Sequence, residues 1–183
     1  MSEFRLTLRR VLAAIHPVAS DRISLEAVPE GHVVQVLGRP GDDSLADRLA
    51  QLSDGSAHAV RAAGPGQWLI VGNDTKSHAE LTSLFDALKP DAYGIDQSHG
   101  RVRILVRGSL VERVLAKGTA VDLALSEFAV GRSTATLIGH IAAHITRVDE
   151  DAFEIIVLRG FAESLWDDLA RMCAVSSHLV AAG

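Results

Sequence analysis

The order strand, strand, helix, strand, strand, helix occurs twice along this chain, and few architectures accept it. The first copy begins at Ile23 to Val28, turns at Pro29-Glu30-Gly31 and continues as Val33 to Leu37. After a polar break at Gly38-Arg39-Pro40-Gly41, Leu45, Leu49 and Leu52 recur at helical spacing. Gly55 then stands where a helix C-terminus favours positive φ. Ala57 to Ala63 and Gln67 to Val71 flank Gly64-Pro65-Gly66 and predict a hairpin. Ser77 and Glu80 have the spacing of a reciprocal helix cap, and Leu81, Leu84, Phe85 and Leu88 give that helix its apolar face.

After Pro90 the order returns. Ala92 to Gln97 and Val102 to Val106 read as strands across a turn near His99-Gly100. Ser109 and Glu112 repeat the capping spacing, Leu110, Val111, Val114 and Leu115 form an apolar face, and Gly118 ends the helix. Thr134 to Val148 and Phe153 to Leu158 predict a longer strand pair around Asp149-Glu150-Asp151. The last helix carries Ala162, Leu165, Trp166, Leu169 and Met172 on one stripe. The expectation is an α+β fold of two pseudo-repeated β-β-α-β-β-α units, with antiparallel sheets backed by helices. Residues 1–20 are expected as an N-terminal helical arm. Residues 21–183 form a single α+β domain made of two halves, 21–90 and 91–175.

Composition supports a packed core of aliphatic side chains: 48% of the 183 residues are hydrophobic but only 4% aromatic. A formal charge of −5 gives no footprint for nucleic acid. No run approaches the ~20 apolar residues of a membrane span. The single cysteine, Cys173, cannot form an internal disulfide, which fits a reducing, cytoplasmic setting. In the arm, Val11 to Ile15 is too short for a secretory core of ~7–15 apolar residues. Phe4, Leu8, Val11, Leu12 and Ile15 instead recur at helical spacing. That stripe either packs on its own domain or lies on another subunit. Phe4, Leu8, Leu12 and Ile15 are the candidate partner interface.

The chemistry-bearing motifs are sparse. Asp96, Ser98 and His99 are the residue types of a hydrolytic triad. On a strand, however, Asp96 and Ser98 share a face and His99 leaves it, whereas triads are assembled from distant segments. There is no G-x-S-x-G elbow, and the simpler reading is a strand end whose Asp and Ser satisfy nearby backbone groups. His140 and His144 have a helical metal-ligand spacing, but Ile141 stands where a zincin needs Glu. On a strand the two lie ~13 Å apart, too far to share an ion at ~2 Å. Gly72-Asn73-Asp74-Thr75-Lys76-Ser77 lacks phosphate-loop spacing, and Gly64-Pro65-Gly66 opens no helix. Cys173 falls beside the last helix's apolar stripe and reads as a buried thiol. No catalytic, cofactor-binding or metal-binding residue is assigned.

Several segments taken together carry a resemblance. Ile95-Asp96-Gln97-Ser98, the Val102-to-Gly108 strand and turn, Val114-Leu115-Ala116-Lys117-Gly118, Asp122-Leu123, Phe128 and Gly131 follow in order. Phe153 through Arg159, then Phe161-Ala162-Glu163-Ser164-Leu165-Trp166, close the pattern, and Gln67-Trp68-Leu69-Ile70-Val71-Gly72 joins it from the first unit. Over roughly Ile23 to Arg171 the chain resembles the gamma subunit family of heterotetrameric sarcosine oxidase. The resemblance implies a fold similar to the folate-binding domain of glycine-cleavage aminomethyltransferase. It implies a complex that demethylates sarcosine to glycine, giving hydrogen peroxide and passing the one-carbon unit to tetrahydrofolate. It further implies that FAD, FMN, NAD and tetrahydrofolate belong to the alpha and beta subunits and zinc to delta. Gamma then acts as a non-catalytic assembly subunit that packs chiefly on alpha. Related assemblies act on other N-methylated amino acids. The alternative is a free-standing folate-binding or aminomethyltransferase-like protein, which needs a positioned carboxylate in a cleft; Asp96 is its nearest candidate. A small hydrolase working through Ser98 and His99 is the third class.

Overall fold

Alternating apolar side chains along the strands sort the chain into two antiparallel sheets, each with one face under helices. The structure is a computed structural model and describes residues 10–181 apart from 16 and 43, with side chains to residue 175. The strands are β1 Val18–Ala19, β2 Ser24–Ala27, β3 His32–Leu37, β4 Val60–Gly64, β5 Gln67–Gly72, β6 Tyr93–Asp96, β7 Arg101–Arg107, β8 Ser133–Ile138, β9 Ile141–Asp149 and β10 Ala152–Leu158. The helices are α1 Ser44–Leu52, α2 His78–Leu88, α3 Val111–Leu115 and α4 Ala162–Ala181. One sheet has the order β1-β2-β7-β10-β9-β8 and the other β4-β5-β3-β6.

The doubled sequence order is visible in these ladders. The run β4-β5-β3-β6 corresponds to β9-β10-β7-β2, and the second sheet adds β8 and β1 at its edges. The first strand of each half has changed sheets. β2, from the first half, pairs with β7, placing Leu25 opposite Val106. β6, from the second half, pairs with β3, placing Ile95 opposite Gln35. The sheets therefore do not follow the division into 21–90 and 91–175, and the strands expected across the turn near His99-Gly100 are not partners. The chain crosses between sheets at residues 28–31 and 97–100. At the first crossing a Cβ on Gly31 would lie 2.0 Å from the Gly72 carbonyl oxygen, so no larger residue fits there.

Helix positions follow the apolar spacing. Leu45 and Leu49 of α1 and Leu84 and Leu88 of α2 cover Val34, Val36 and Ile70. Ser77 and Glu80 form the expected reciprocal cap, with the Ser77 amide donating to the Glu80 carboxylate at 2.7 Å. On the other sheet Leu165, Trp166, Leu169 and Cys173 of α4 and Val111, Val114 and Leu115 of α3 cover Ile104, Phe153, Ile155 and Val157. The outcome is four layers, helix, sheet, sheet, helix. Between the sheets, Val33, Leu69, Val71 and Ile156 form only a small apolar cluster.

Two expectations are corrected. The Ser109–Glu112 cap does not form: Leu110, not Ser109, stands at the N-cap of α3, and no side chain caps the helix. Glu112 instead pairs at 2.6 Å with Arg147, whose side chain is fully buried. A buried guanidinium needs a carboxylate more than a helix end needs a cap. Thr134 to Val148 is also two strands, joined at Gly139-His140 with Ile138 opposite Ile141. Gly139 has φ +60°, as a two-residue hairpin loop demands of one central residue. A single strand there would have exceeded the usual ~3–10 residues.

The N-terminal stripe divides. Phe4 and Leu8 lie outside the described residues. Residues 11–14 form a turn rather than a helix. Leu12, 6% exposed, belongs to the core under α4, and Ile15 packs against it. Leu12 is thus covered by its own domain, and Ile15 is partly covered by it.

Because each sheet borrows a strand, residues 21–90 and 91–175 produced separately should fail to fold, and mixing them should restore structure. Far-ultraviolet circular dichroism with amide hydrogen exchange on each piece and on the mixture checks this.

Candidate functional site

Strand alternation that buries Phe153, Ile155 and Val157 of β10 beneath α4 turns Glu154 and Ile156 toward the facing sheet. On β7, Val102, Ile104 and Val106 face the helices, so Arg101, Arg103 and Leu105 face the same inter-sheet layer. Across it β4 presents Arg61, opposite Leu69 of β5. These placements bring together an ion cluster that joins the two sheets.

Glu154 lies at its centre. Its Oε1 accepts from Nε of Arg103 at 2.7 Å and from Nη1 of Arg61 at 2.8 Å, and its Oε2 accepts from Nη2 of Arg103 at 3.0 Å. Arg103 also donates from Nη1 to the Gly72 carbonyl and to Oδ1 of Asn73, both at 3.0 Å. Arg61 donates from Nε to the His58 carbonyl at 2.9 Å. Glu154 and Arg103 come from one sheet, and the remaining groups from the other sheet and its loops. All three charged side chains are under 10% exposed. Burial by itself would raise the Glu154 carboxyl. The hydrogen bonds and charges of Arg103 and Arg61 outweigh it and hold the group at about 2. A carboxylate so fully engaged stays ionised at neutral pH and is unavailable as a general acid or base.

Cavities open on both sides of the cluster. One of about 340 Å³ is bordered by His58, Arg61, Arg103, Arg107, Asp149 and Glu154. A second, of about 200 Å³, includes Arg101 and His144. The groove of about 420 Å³ over α2 is larger, but its walls, from Leu52 to Ala87, include only Lys76 and Glu80 as charged groups.

The residues singled out from sequence are placed as follows. Oδ1 of Asp96 accepts from the Ser98 amide at 2.9 Å and from its hydroxyl at 2.5 Å. The Ser98 oxygen accepts from the Val33 amide at 3.2 Å, and His99 is exposed in the turn. This is a local turn at the second sheet crossing, with the backbone-satisfying role that the spacing predicts, and not a triad. Asp96 is exposed and lies outside the walls of every cavity described above, so no cleft carboxylate forms there. Of the histidine pair, His140 is exposed in the β8–β9 turn, while His144 is buried and donates from Nε2 to the Ala62 carbonyl at 2.8 Å. Burial, with Arg61 and Arg101 nearby, keeps the His144 imidazole below its usual range, against the raising effect of the Ala62 bond and Glu154. In the loop before α2, Asn73 holds Arg103 and the Asp74 carbonyl accepts from Nδ1 of His32 at 2.7 Å. Cys173 is buried, and desolvation pushes its thiol up despite Lys117. Among the described residues no three His, Cys, Asp or Glu side chains gather where a metal ion could be held. Among the described residues no helix is long and apolar enough to cross a membrane.

Sequence reasoning missed Arg61, Arg103 and Glu154. The available signal was charge inside apolar strands: Arg103 within Val102 to Val106, and Glu154 between Phe153 and Ile155.

Comparison with known proteins completes the picture. The model of the family described as "Sarcosine oxidase, gamma subunit family" matches residues 15–175. No curated protein matches the sequence. Among solved structures, a chain of the heterotetrameric sarcosine oxidase from Corynebacterium sp. U-96, in complex with pyrrole 2-carboxylate, superposes with a TM-score of 0.78. It is 22% identical and covers 91% of this chain and 95% of its own length. Glycine cleavage system aminomethyltransferase T from Bartonella henselae superposes with a TM-score of 0.57 at 19% identity over 81% of this chain. The match spans 45% of that larger protein. Both likenesses bear out the expected α+β architecture.

Replacing Glu154 with Gln leaves two buried guanidiniums without their carboxylate, and should cost about 3–5 kcal/mol in chemical denaturation. Glu154 is depressed in the folded state, so its contribution is complete above pH 4.5, its ordinary value, and is lost as pH falls toward about 2. Acid unfolding of the wild type should therefore steepen across that window, and the Gln variant should lack that component.

Proposed function

The chain belongs to the sarcosine oxidase gamma subunit family, and from that premise we propose that it is the non-catalytic assembly subunit of a heterotetrameric oxidase acting on sarcosine. In this reading the partner subunits demethylate sarcosine to glycine, release hydrogen peroxide and form methylene-tetrahydrofolate. FAD, FMN, NAD, tetrahydrofolate and zinc reside on the alpha, beta and delta chains. Gamma packs chiefly on alpha, in the cytoplasm. The family match over residues 15–175 carries the proposal. Two observations support it. The side chains that sequence suggested for catalysis are committed to turns and to packing. And apolar side chains stand exposed on edge strands, Tyr93 at 67% and Ile95 at 42% on β6, and Leu137 at 54% on β8. An edge strand with exposed apolar groups is one that a partner can cover.

A second reading has its own support. The likeness to the aminomethyltransferase keeps open a chain that binds tetrahydrofolate alone. One experiment separates them: capture of the tagged full chain from its own cells, followed by an absorbance spectrum. A yellow eluate with larger and smaller partners is expected. A colourless chain without partners would overturn the assembly role, and tetrahydrofolate titration would then test the second reading. Replacing Phe4 and Leu8 by Ser should weaken capture of those partners more than tenfold, since each buried apolar side chain contributes about 1.5–3 kcal/mol. The melting temperature of the isolated chain should stay unchanged.

A further inference from the structure

One nitrogen of the inter-sheet ion cluster is left over. A guanidinium offers N–H donors on all three of its nitrogens. In Arg61, Nε donates to the His58 carbonyl and Nη1 to Oε1 of Glu154. No acceptor faces Nη2 among the described residues, and unlike Nε of Arg101 or Arg147 it is not closed off from solvent. The Arg61 side chain is only 4% exposed and borders the cavity of about 340 Å³, so that cavity is where Nη2 can be reached.

The same cavity has a second cation without a carboxylate. Arg107 stands on β7 four residues beyond Arg103, so strand alternation turns both toward the inter-sheet side. Its side chain is exposed and forms no ion pair among the described residues. Two carboxylates also border the cavity. Glu154 is engaged by its arginines, and Oδ1 of Asp149 accepts from the Glu150 amide at 2.8 Å. Against them stand Arg61, Arg103 and Arg107, which leaves the walls with an excess of positive charge. Guanidiniums only donate, so the ligand must accept, and the charge excess favours an anion. With Nε and Nη1 engaged, Arg61 has no edge with two free nitrogens for the flat, paired grip that suits a carboxylate. A tetrahedral oxyanion spreads its oxygens in several directions and takes single bonds from separate guanidiniums. The cavity falls at the low end of the ~300–1,000 Å³ of small-molecule sites, and Val28, Val71 and Leu105 give it apolar walls beside the charges.

We propose that this cavity binds a phosphate group, which accepts from Nη2 of Arg61 on one sheet and from the Arg107 guanidinium on the other. A small phosphate ester lays its organic part on Val28, Val71 and Leu105, whereas free phosphate leaves those walls unused. The proposal concerns this chain alone and is independent of the assembly role.

Calorimetric titration of the full chain with propyl phosphate, inorganic phosphate and acetate tests it, at an ionic strength held constant with chloride so that general screening is the same throughout. Both phosphates should bind saturably in the millimolar range or more tightly, and acetate at least tenfold more weakly. Tighter binding of propyl phosphate than of inorganic phosphate identifies the ligand as an ester, and equal affinity identifies it as free phosphate. Arg107→Gln should lower phosphate affinity tenfold or more, the loss expected for one charge-assisted hydrogen bond. Its melting temperature without ligand should match the wild type, because the side chain is exposed. In nitrogen-15 resonance spectra of the wild-type chain, the Arg61 guanidinium signals should move along the same saturation curve. Absence of saturable phosphate binding, or acetate affinity equal to that of phosphate, would overturn the proposal. So would Arg61 signals that stay in place while phosphate binds, since the anion would then lie elsewhere. The wild-type titrations decide the matter even if Arg107→Gln does not fold.

Discussion

A carboxylate held between two guanidiniums joins the sheets of this protein. Glu154 reaches Arg103 on its own sheet and Arg61 on the other, and each arginine is further tied to backbone carbonyls of the second sheet or its loops. Desolvating these charges is costly, and the bonds among them roughly offset the cost. The cluster is therefore weak evidence for net stability and stronger evidence for geometry. A sheet sliding by one residue would leave a buried charge unmatched.

This matters because the layer it occupies is thin in apolar contacts. The two large cores lie outside, under the helices, where leucine and valine stripes interlock. Between the sheets only Val33, Leu69, Val71 and Ile156 cluster. Apolar contacts are non-directional and do not fix one sheet's position over another. Directed bonds do: Glu154 with Arg61, Arg103 with the Gly72 carbonyl, and His144 with the Ala62 carbonyl. The same polar layer leaves room at its two ends, which is where the cavities open.

Much of the layering was legible in the sequence, because helical and strand periodicities report which side of an element is covered. The stripes of α2 and α4, the Ser77–Glu80 cap and the β4–β5 hairpin all follow from local spacing. What was hidden depends on pairing between distant segments. Nothing around Leu25 says that its partner is Val106, some eighty residues away, rather than the adjacent strand. Ser109 and Glu112 had the correct spacing for a cap, yet Arg147, far along the chain, took the carboxylate. The break at Gly139 was readable in principle from strand length, but Gly-His is a weaker turn signal than Asn-Gly. In the candidate site, Asp96 and Ser98 drew notice by residue type and proved local. Arg61, Arg103 and Glu154 looked like ordinary strand charges until the two sheets were placed face to face.

The exchange of first strands also bears on how the chain emerges during synthesis. When residues to about Leu88 have appeared, β3 lacks the neighbour that β6 will provide, and β2 has no sheet to join, since β7 is still to come. For that interval the nascent protein carries an unpaired strand edge and a detached apolar segment, the features that invite wrong pairing between chains. Completion waits on contacts between residues far apart in sequence, which slows the final ordering step. Both sheets close only after the second half is made, so the two halves have a common fate from the ribosome onward.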